Sequence, residues 1–209
     1  FATNPIYENF GTKEQIEATA KSNPRIKELL AEHNLPIKVN IEELNKLKQG
    51  HMKDTRIVAA KIYSSLPAEL KQEVSLPHLQ EAAMLHDIGV VFCDAPKIHC
   101  LGTHAYIEHG YLGAEILRQE GLPKHAQVAE RHTGTGITYE QIIREQLPIP
   151  LQDYTPRTLE ERLICYADKF YSKTKLGQDK PMSKIRQHMW KYGSDAVRRF
   201  DELQSLFEP

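Results

Sequence analysis

Six residues in this sequence carry side chains suited to metal chemistry, yet they fall where apolar side chains are expected: His51, His86, Asp87, His109, His132 and Asp168. Two of them are adjacent in "AAMLHDIGVV", residues 82–91, beside Leu85, Ile88, Val90 and Val91. By helical spacing His86 shares a face with Leu79, Ala82 and Ala83, so it points where a core residue would. Asp87 lies about 100° further round. Two neighbouring ligands on one helix reach a common metal only where the helix ends, and Gly89 is consistent with an end there.

The same oddity recurs along the chain. His51 lies on the face of Val58 and Ile62, and His109 lies with Leu112, Gly113 and Ile116. His132 ends a helix that carries Val128 and Ala129, and Asp168 lies with Ile164. One inward histidine is most often a hydrogen-bonded core residue. Several helices each turning His or Asp inward are another matter, because uncompensated imidazoles and carboxylates in one core are costly. A metal removes that cost by binding neutral imidazole and ionised carboxylate together. This donor set suits Fe, Mn, Co, Ni or Zn better than Ca or Mg.

The elements that must position these residues read as helices almost throughout. "TKEQIEATAKS" starts at Thr12, and "NPRIKELLAEH" has Asn23 as N-cap and Pro24 at its first position. "NIEELNKLKQG" reads as stopping at Gly50, with a separate helix "HMKDTRIVAAKIYSSL" after it, whose apolar residues are Ile57, Val58 and Ile62. "LPHLQEAAMLHDIG" runs from Pro77 to Gly89, and residues 90–103 read as a loop. "HAYIEHGYLGAEILRQEG" stops at Gly121, "LPKHAQVAERHTGTG" starts at Pro123, and "TYEQIIREQ" is short. A proline-containing loop, 147–157, leads to "TLEERLICYADKFYSKTKLG", read as one long amphipathic helix. "MSKIRQHMWKYGSDAVRRFDELQSLF" is read as bent at Gly193. No strand-like alternation or internal repeat stands out. The pattern predicts an all-α domain over residues 46–209, preceded by a more polar N-terminal helical extension over residues 1–45.

Composition narrows the function classes. The 209 residues are 40% hydrophobic and 26% charged, with a net charge of -1, which is ordinary for one soluble core. That balance argues against a long nucleic acid or an acidic membrane as partner. No apolar stretch is long enough for a transmembrane helix, and no signal peptide is evident at the N-terminus, which starts with Phe rather than Met. Cys93, Cys100 and Cys165 form no C-x-x-C, which fits a reducing, cytoplasmic setting. Cys93 and Cys100 flank His99, but this single cluster does not match the usual zinc spacings.

Taken in order, "H-x6-V-x3-I" at His51, "MLHDIG", "HGYLGAEIL", "ERHTGTGIT" and "CYADK" resemble the HD-domain metal-dependent phosphohydrolase superfamily, in its HDIG-type branch. The resemblance runs from His51 to about Tyr171. It implies an HD-domain helical bundle with a small N-terminal helical extension. It implies one ion held by His51, His86, Asp87 and Asp168, and a second held by His109 and His132, with Asp87 bridging. His86 and Asp87 are then the catalytic pair. The cofactor is a divalent transition metal, two ions of Fe, Mn, Co, Ni or Zn. The implied reaction is attack of a metal-activated water on a small phosphorylated molecule or nucleotide. His109 is preferred to His104 because the two are about 140° apart on a helix and "HG-x-x-GAE" follows His109. His104 is left to hold a carboxylate or the substrate phosphate.

In one respect the chain departs from the family pattern. Many relatives carry a lysine shortly after the HD pair, whereas this chain reads "HDIGVVF". Arg131 and Lys169 are the candidate phosphate contacts, and "HTGTG" could add backbone N–H groups. The gap keeps an alternative open, a dinuclear-iron oxygenase of the same fold. A binding module without catalysis would be expected to have lost ligands, and all six positions are filled. His33, His78, His99, His125 and His188 read as surface or capping residues. The oligomeric state is left open, a homo-oligomer included.

Overall fold

Helix α1 runs unbroken from Ile41 to Ser65 in the computed structural model, which describes residues 41–98, 100–173 and 178–208. The helices expected at Thr12 and Asn23 and most of the 1–45 extension lie outside the described residues, as does His99. Gly50 does not stop the helix. A mid-helix glycine costs only about 1 kcal/mol relative to alanine, which tertiary packing offsets. The buried stripe runs His51, Thr55, Ala59 and Ile62, a helical spacing of three and four. Ile57, expected to be apolar lining, is 60% exposed.

Short helix α2 (Ala68–Lys71) leads to α3 (Leu76–Leu85), which packs along α1. A 3-10 turn, Ile88–Phe92, follows. The expected loop over 90–103 contains a small antiparallel pair, β1 (Asp94–Ala95) and β2 (Cys100–Leu101), in register Ala95 with Cys100. Helices α4 (His109–Gln119) and α5 (Pro123–Arg131) form the next pair, with Pro123 opening α5 as the sequence suggests. Helix α6 (Tyr139–Glu145) is capped by the Thr138 side chain.

Helix α7 (Leu159–Ala167) is the central element. It contacts α1, α3, α5 and the last helix, α9 (Ser194–Phe207), and Leu163, Ile164, Cys165, Tyr166 and Ala167 are all buried. The expected long amphipathic helix is therefore corrected in two ways. Its second half, from Leu163 to Ala167, is buried on every side, and it ends at Ala167 in a 3-10 turn, Asp168–Phe170. Helices α8 (Met182–Met189) and α9 (Ser194–Phe207) are separated at Gly193, whose φ of 94° is a left-handed conformation that ends one helix and re-aims the next. Leu79, Ala82 and Ala83 of α3 and Phe200 and Leu203 of α9 close the core around α7. The fold is all-α, as the sequence implies.

Candidate metal centre

The six chemically suited residues come from five elements, and five of the six sit at helix ends. His51 lies within α1. His86 caps the C-terminus of α3, and Asp87 opens the turn that follows. His109 is the first residue of α4, His132 caps α5 and Asp168 caps α7. A helix end lets consecutive side chains diverge from the 100° helical spacing, which is how His86 and Asp87 reach one point. The approach of α4 depends on two glycines. A Cβ on Gly89 would stand 2.2 Å from the carbonyl oxygen of His109 and 2.3 Å from the Gly113 nitrogen. Gly89 thus does more than end a helix. It allows the turn after Asp87 to lie against the first turn of α4.

The ligand atoms form two groups that share Asp87. In the first, His51 Nε2 is 2.8 Å from Asp168 Oδ1 and 3.5 Å from Asp87 Oδ2. His86 Nε2 is 3.4 Å from Asp168 Oδ1 and 3.3 Å from Asp87 Oδ2. In the second, His109 Nε2 and His132 Nε2 are 3.4 and 3.3 Å from Asp87 Oδ1 and 3.1 Å from each other. Asp87 therefore turns one oxygen to each group. The Nδ1 atoms of His86, His109 and His132 contact the carbonyl oxygens of Ala83, Tyr106 and Ala129 at 2.8, 2.6 and 2.7 Å. Donation there fixes the tautomer and leaves each Nε2 lone pair facing inward.

This donor set fits a metal. His86 Nε2 and Asp87 Oδ1 are buried without a well-aligned hydrogen bond. Such atoms cost about 1–3 kcal/mol each when left unsatisfied, and a bound ion would remove that cost. Burial, and then His132, push His109 down to about 3, which keeps it neutral. Burial alone would lower His86 too, but Asp87 and Asp168 outweigh it and push it up to about 9. Burial opposes the charge on Asp87, yet Lys173 and then His86 hold it well below the usual carboxylate range.

A cavity of about 540 Å³ opens over the cluster and includes His51, His109, His132 and Asp168 in its lining. Lys169, Lys173 and Lys180 also line it, with Tyr106, Tyr171 and Tyr192. Lys169, expected as a phosphate contact, is buried with Nζ 2.6 Å from Asp168 Oδ2 and 3.1 Å from the His132 carbonyl oxygen. Thr133 and Gly134 of the "HTGTG" turn line the cavity as well, and so does His188, which is exposed, as its surface reading expects.

Two expected substrate contacts lie elsewhere. Arg131 does not line the cavity, and its Nη1 donates to both Glu161 oxygens at 2.9 and 3.0 Å. A buried Glu161 needs that partner, so Arg131 ties α5 to α7 rather than facing substrate. His104 is also outside the lining, with Nδ1 3.1 Å from Glu108 Oε1. It holds a carboxylate at the entry to α4, which leaves His109 in the cluster.

Sequence reasoning missed Lys173. Its Nζ is 2.7 Å from Asp87 Oδ2 and 5.6 Å from the centre of the Tyr106 ring. On an unbroken helix Lys173 would sit about 140° from Asp168. The 3-10 turn and the extended Tyr171, φ −115° and ψ 165°, bring it back over the cluster instead. The only signal in the sequence is a second lysine soon after "CYADK", which a long-helix reading hides.

Comparison with known proteins agrees with this geometry. The family described as HD domain matches residues 49–172. An uncharacterized protein of Methanocaldococcus jannaschii is 37% identical over 142 residues, covering 65% of this chain and 76% of that protein. Two proteins named tRNA (cytidine(56)-2'-O)-methyltransferase are also similar. The one from Picrophilus torridus is 32% identical over 126 residues and the one from Thermoplasma volcanium 29% over 124 residues. These matches cover 58% and 59% of this chain but only 31% of each methyltransferase. No solved structure matches. A match across more than half of the sequence, which contains the buried His86–Asp87 pair, makes this chain a member of the HD-domain family, within the metal-dependent hydrolase superfamily.

Proposed function

We propose that this chain is a metal-dependent phosphohydrolase acting on a small phosphate ester or nucleotide. The observation that carries the reading is Asp87, which offers one oxygen to each of two ligand groups beneath a lysine-lined cavity. His51, His86, Asp87 and Asp168 would hold one divalent transition ion, and Asp87, His109 and His132 a second. When bound, the two ions supply an activated water at neutral pH and neutralise charge on the phosphoryl group. The chain's own contribution is cationic. Lys173 and Lys169 lie at the cavity wall, where they would hold the remaining phosphate oxygens and keep them from leaving the ligand set. Tyr106 shields Lys173 on one side, and its own hydroxyl, pushed up to about 12 by burial, stays protonated and able to donate.

The oxygenase alternative drew its strength from the absent lysine after the HD pair. Lys173 supplies that cation from a different element, which favours phosphate over oxygen as the reactant. The two proteins named methyltransferase are matched over only 31% of their length, so that name is theirs and carries no argument for this chain.

The test is phosphate release from a panel of nucleotides and small phosphate esters. Protein purified anaerobically is reconstituted separately with Fe, Mn, Co, Ni or Zn, beside the Asp87→Ala variant. Release that requires both metal and Asp87 is expected, with Asp87→Ala falling to background while its helical circular dichroism is retained. No release from protein that demonstrably holds two ions would overturn the reading, and oxygen uptake by the iron form would then identify the oxygenase.

A further inference from the structure

Helices α3 and α5 both run into the principal cluster at their C-terminal ends. At their opposite ends they carry a second set of ligand-type side chains. His78 and His125 are each the third residue of their helix, and Glu81 follows His78 by three residues on the same face. One ligand atom from each of the three residues lies within 4.8 Å of the others. His125 Nε2 is 3.1 Å from Glu81 Oε2. Two ligands on a tetrahedral zinc ion, each about 2.0–2.1 Å from the metal, stand about 3.3 Å apart, so this pair already has nearly the required separation. The ring of His78 meets that of His125 edge to face with centroids 4.5 Å apart. Among the described residues the His78 ring nitrogens make no hydrogen bond, so a lone pair is available. Burial, and then His125, lower the His78 pKa, which favours the neutral, ligating form.

We propose that His78, Glu81 and His125 form a separate peripheral site for one divalent transition ion of the zinc class. Two imidazoles and one carboxylate suit a borderline ion and leave a fourth position for water. Oxygen-preferring Mg²⁺ and Ca²⁺ are poor matches. His78 stands eight residues before His86, about 12 Å along the helix axis, so no ion is shared with the principal cluster. The bound ion ties α3 to α5 at the end remote from that cluster and so fixes the register of two helices that both feed it.

The test counts ions per full-length chain at equilibrium with Zn²⁺ alone and Co²⁺ alone. It compares wild type with His78→Ala, Glu81→Gln, Asp87→Ala, and Asp87→Ala combined with His78→Ala. Glu81 is 44% exposed at its side chain and His78 is half-buried, so these substitutions leave the fold intact. His78→Ala and Glu81→Gln should each hold one ion fewer than wild type. Asp87→Ala should keep the intense visible absorption of four-coordinate Co²⁺, and the double variant should lose it. An ion count in both outer variants equal to wild type overturns the site. That outcome is separate from failure of the principal centre, which would appear as an unchanged count in Asp87→Ala.

Discussion

Lys173 is the residue on which the chemistry of this site turns. Its ammonium lies beside a carboxylate that faces two groups of imidazoles, and burial would discharge it without that carboxylate. Burial lowers its pKa, but Asp87 outweighs this and raises it well above the usual lysine value. A group held charged at the cavity wall is suited to a phosphate oxygen. A charge-assisted hydrogen bond contributes about 1.5–3 kcal/mol. Lys173→Ala should therefore lower kcat/KM for the best phosphate substrate by about 10- to 150-fold. Lys173→Arg should recover part of that loss, and the metal content of both variants should match wild type. Steady-state kinetics with ion counting checks this, and an unchanged kcat/KM in Lys173→Ala would remove the residue from the site. The ligand-type residues were legible in the sequence because His51, His86, His109, His132 and Asp168 interrupt apolar faces, and Asp87 because it adjoins His86 in the family-like "HDIG". Lys173 violates nothing, since a lysine on a helix surface is ordinary, and only the break after Ala167 makes it unusual. Arg131 shows the converse, as proximity to His132 in sequence said nothing of the buried Glu161 it serves.

At the scale of elements, the cluster depends on how closely the turn after Asp87 meets α4. Gly89 and Gly113 make that approach, and His109 is carried on the same first turn. Gly89→Ala puts a methyl group into the His109 carbonyl, and the contact is backbone, so no side chain can swing away. The cost should be about 3 kcal/mol, at the upper end for overpacking. Because His109 must shift with its helix, the second ion should be lost while the first is kept. A urea midpoint moved to lower concentration together with one ion fewer per chain is the expected pair of results; wild-type values for both would show that the turn and α4 have room to spare. The helix start at Pro123 was readable from proline and periodicity, and the start read at Pro77 falls one residue after the observed Leu76. The stops were not readable. Gly50 sits inside α1, and α7 ends at Ala167 with no glycine or proline, because the core fixes Asp168 and the chain turns to follow.

At the scale of the molecule, the bundle joins around a cluster of imidazoles and carboxylates suited to an ion. Ligands on α1, on the turns after α3, α5 and α7, and on the first turn of α4 converge, so a metal bound there touches most of the helices that make the core. The unfolded chain offers no such site, and binding free energy adds directly to stability. One ion at a free concentration 1,000 times its Kd contributes about 4 kcal/mol. For a chain of this size each kcal/mol moves Tm by about 2–4 °C, so saturation should raise Tm by about 8–16 °C over chelator-treated protein. No helix among the described residues is long and apolar enough to cross a membrane. Asp87→Ala loses the residue common to both ligand groups, and combining it with Glu81→Gln also removes the peripheral ligand. That double variant should melt at one temperature with or without metal. A wild-type Tm indifferent to metal would mean that the helices reach their packing without the ion, and that the six polar residues of the cluster are held by the fold alone.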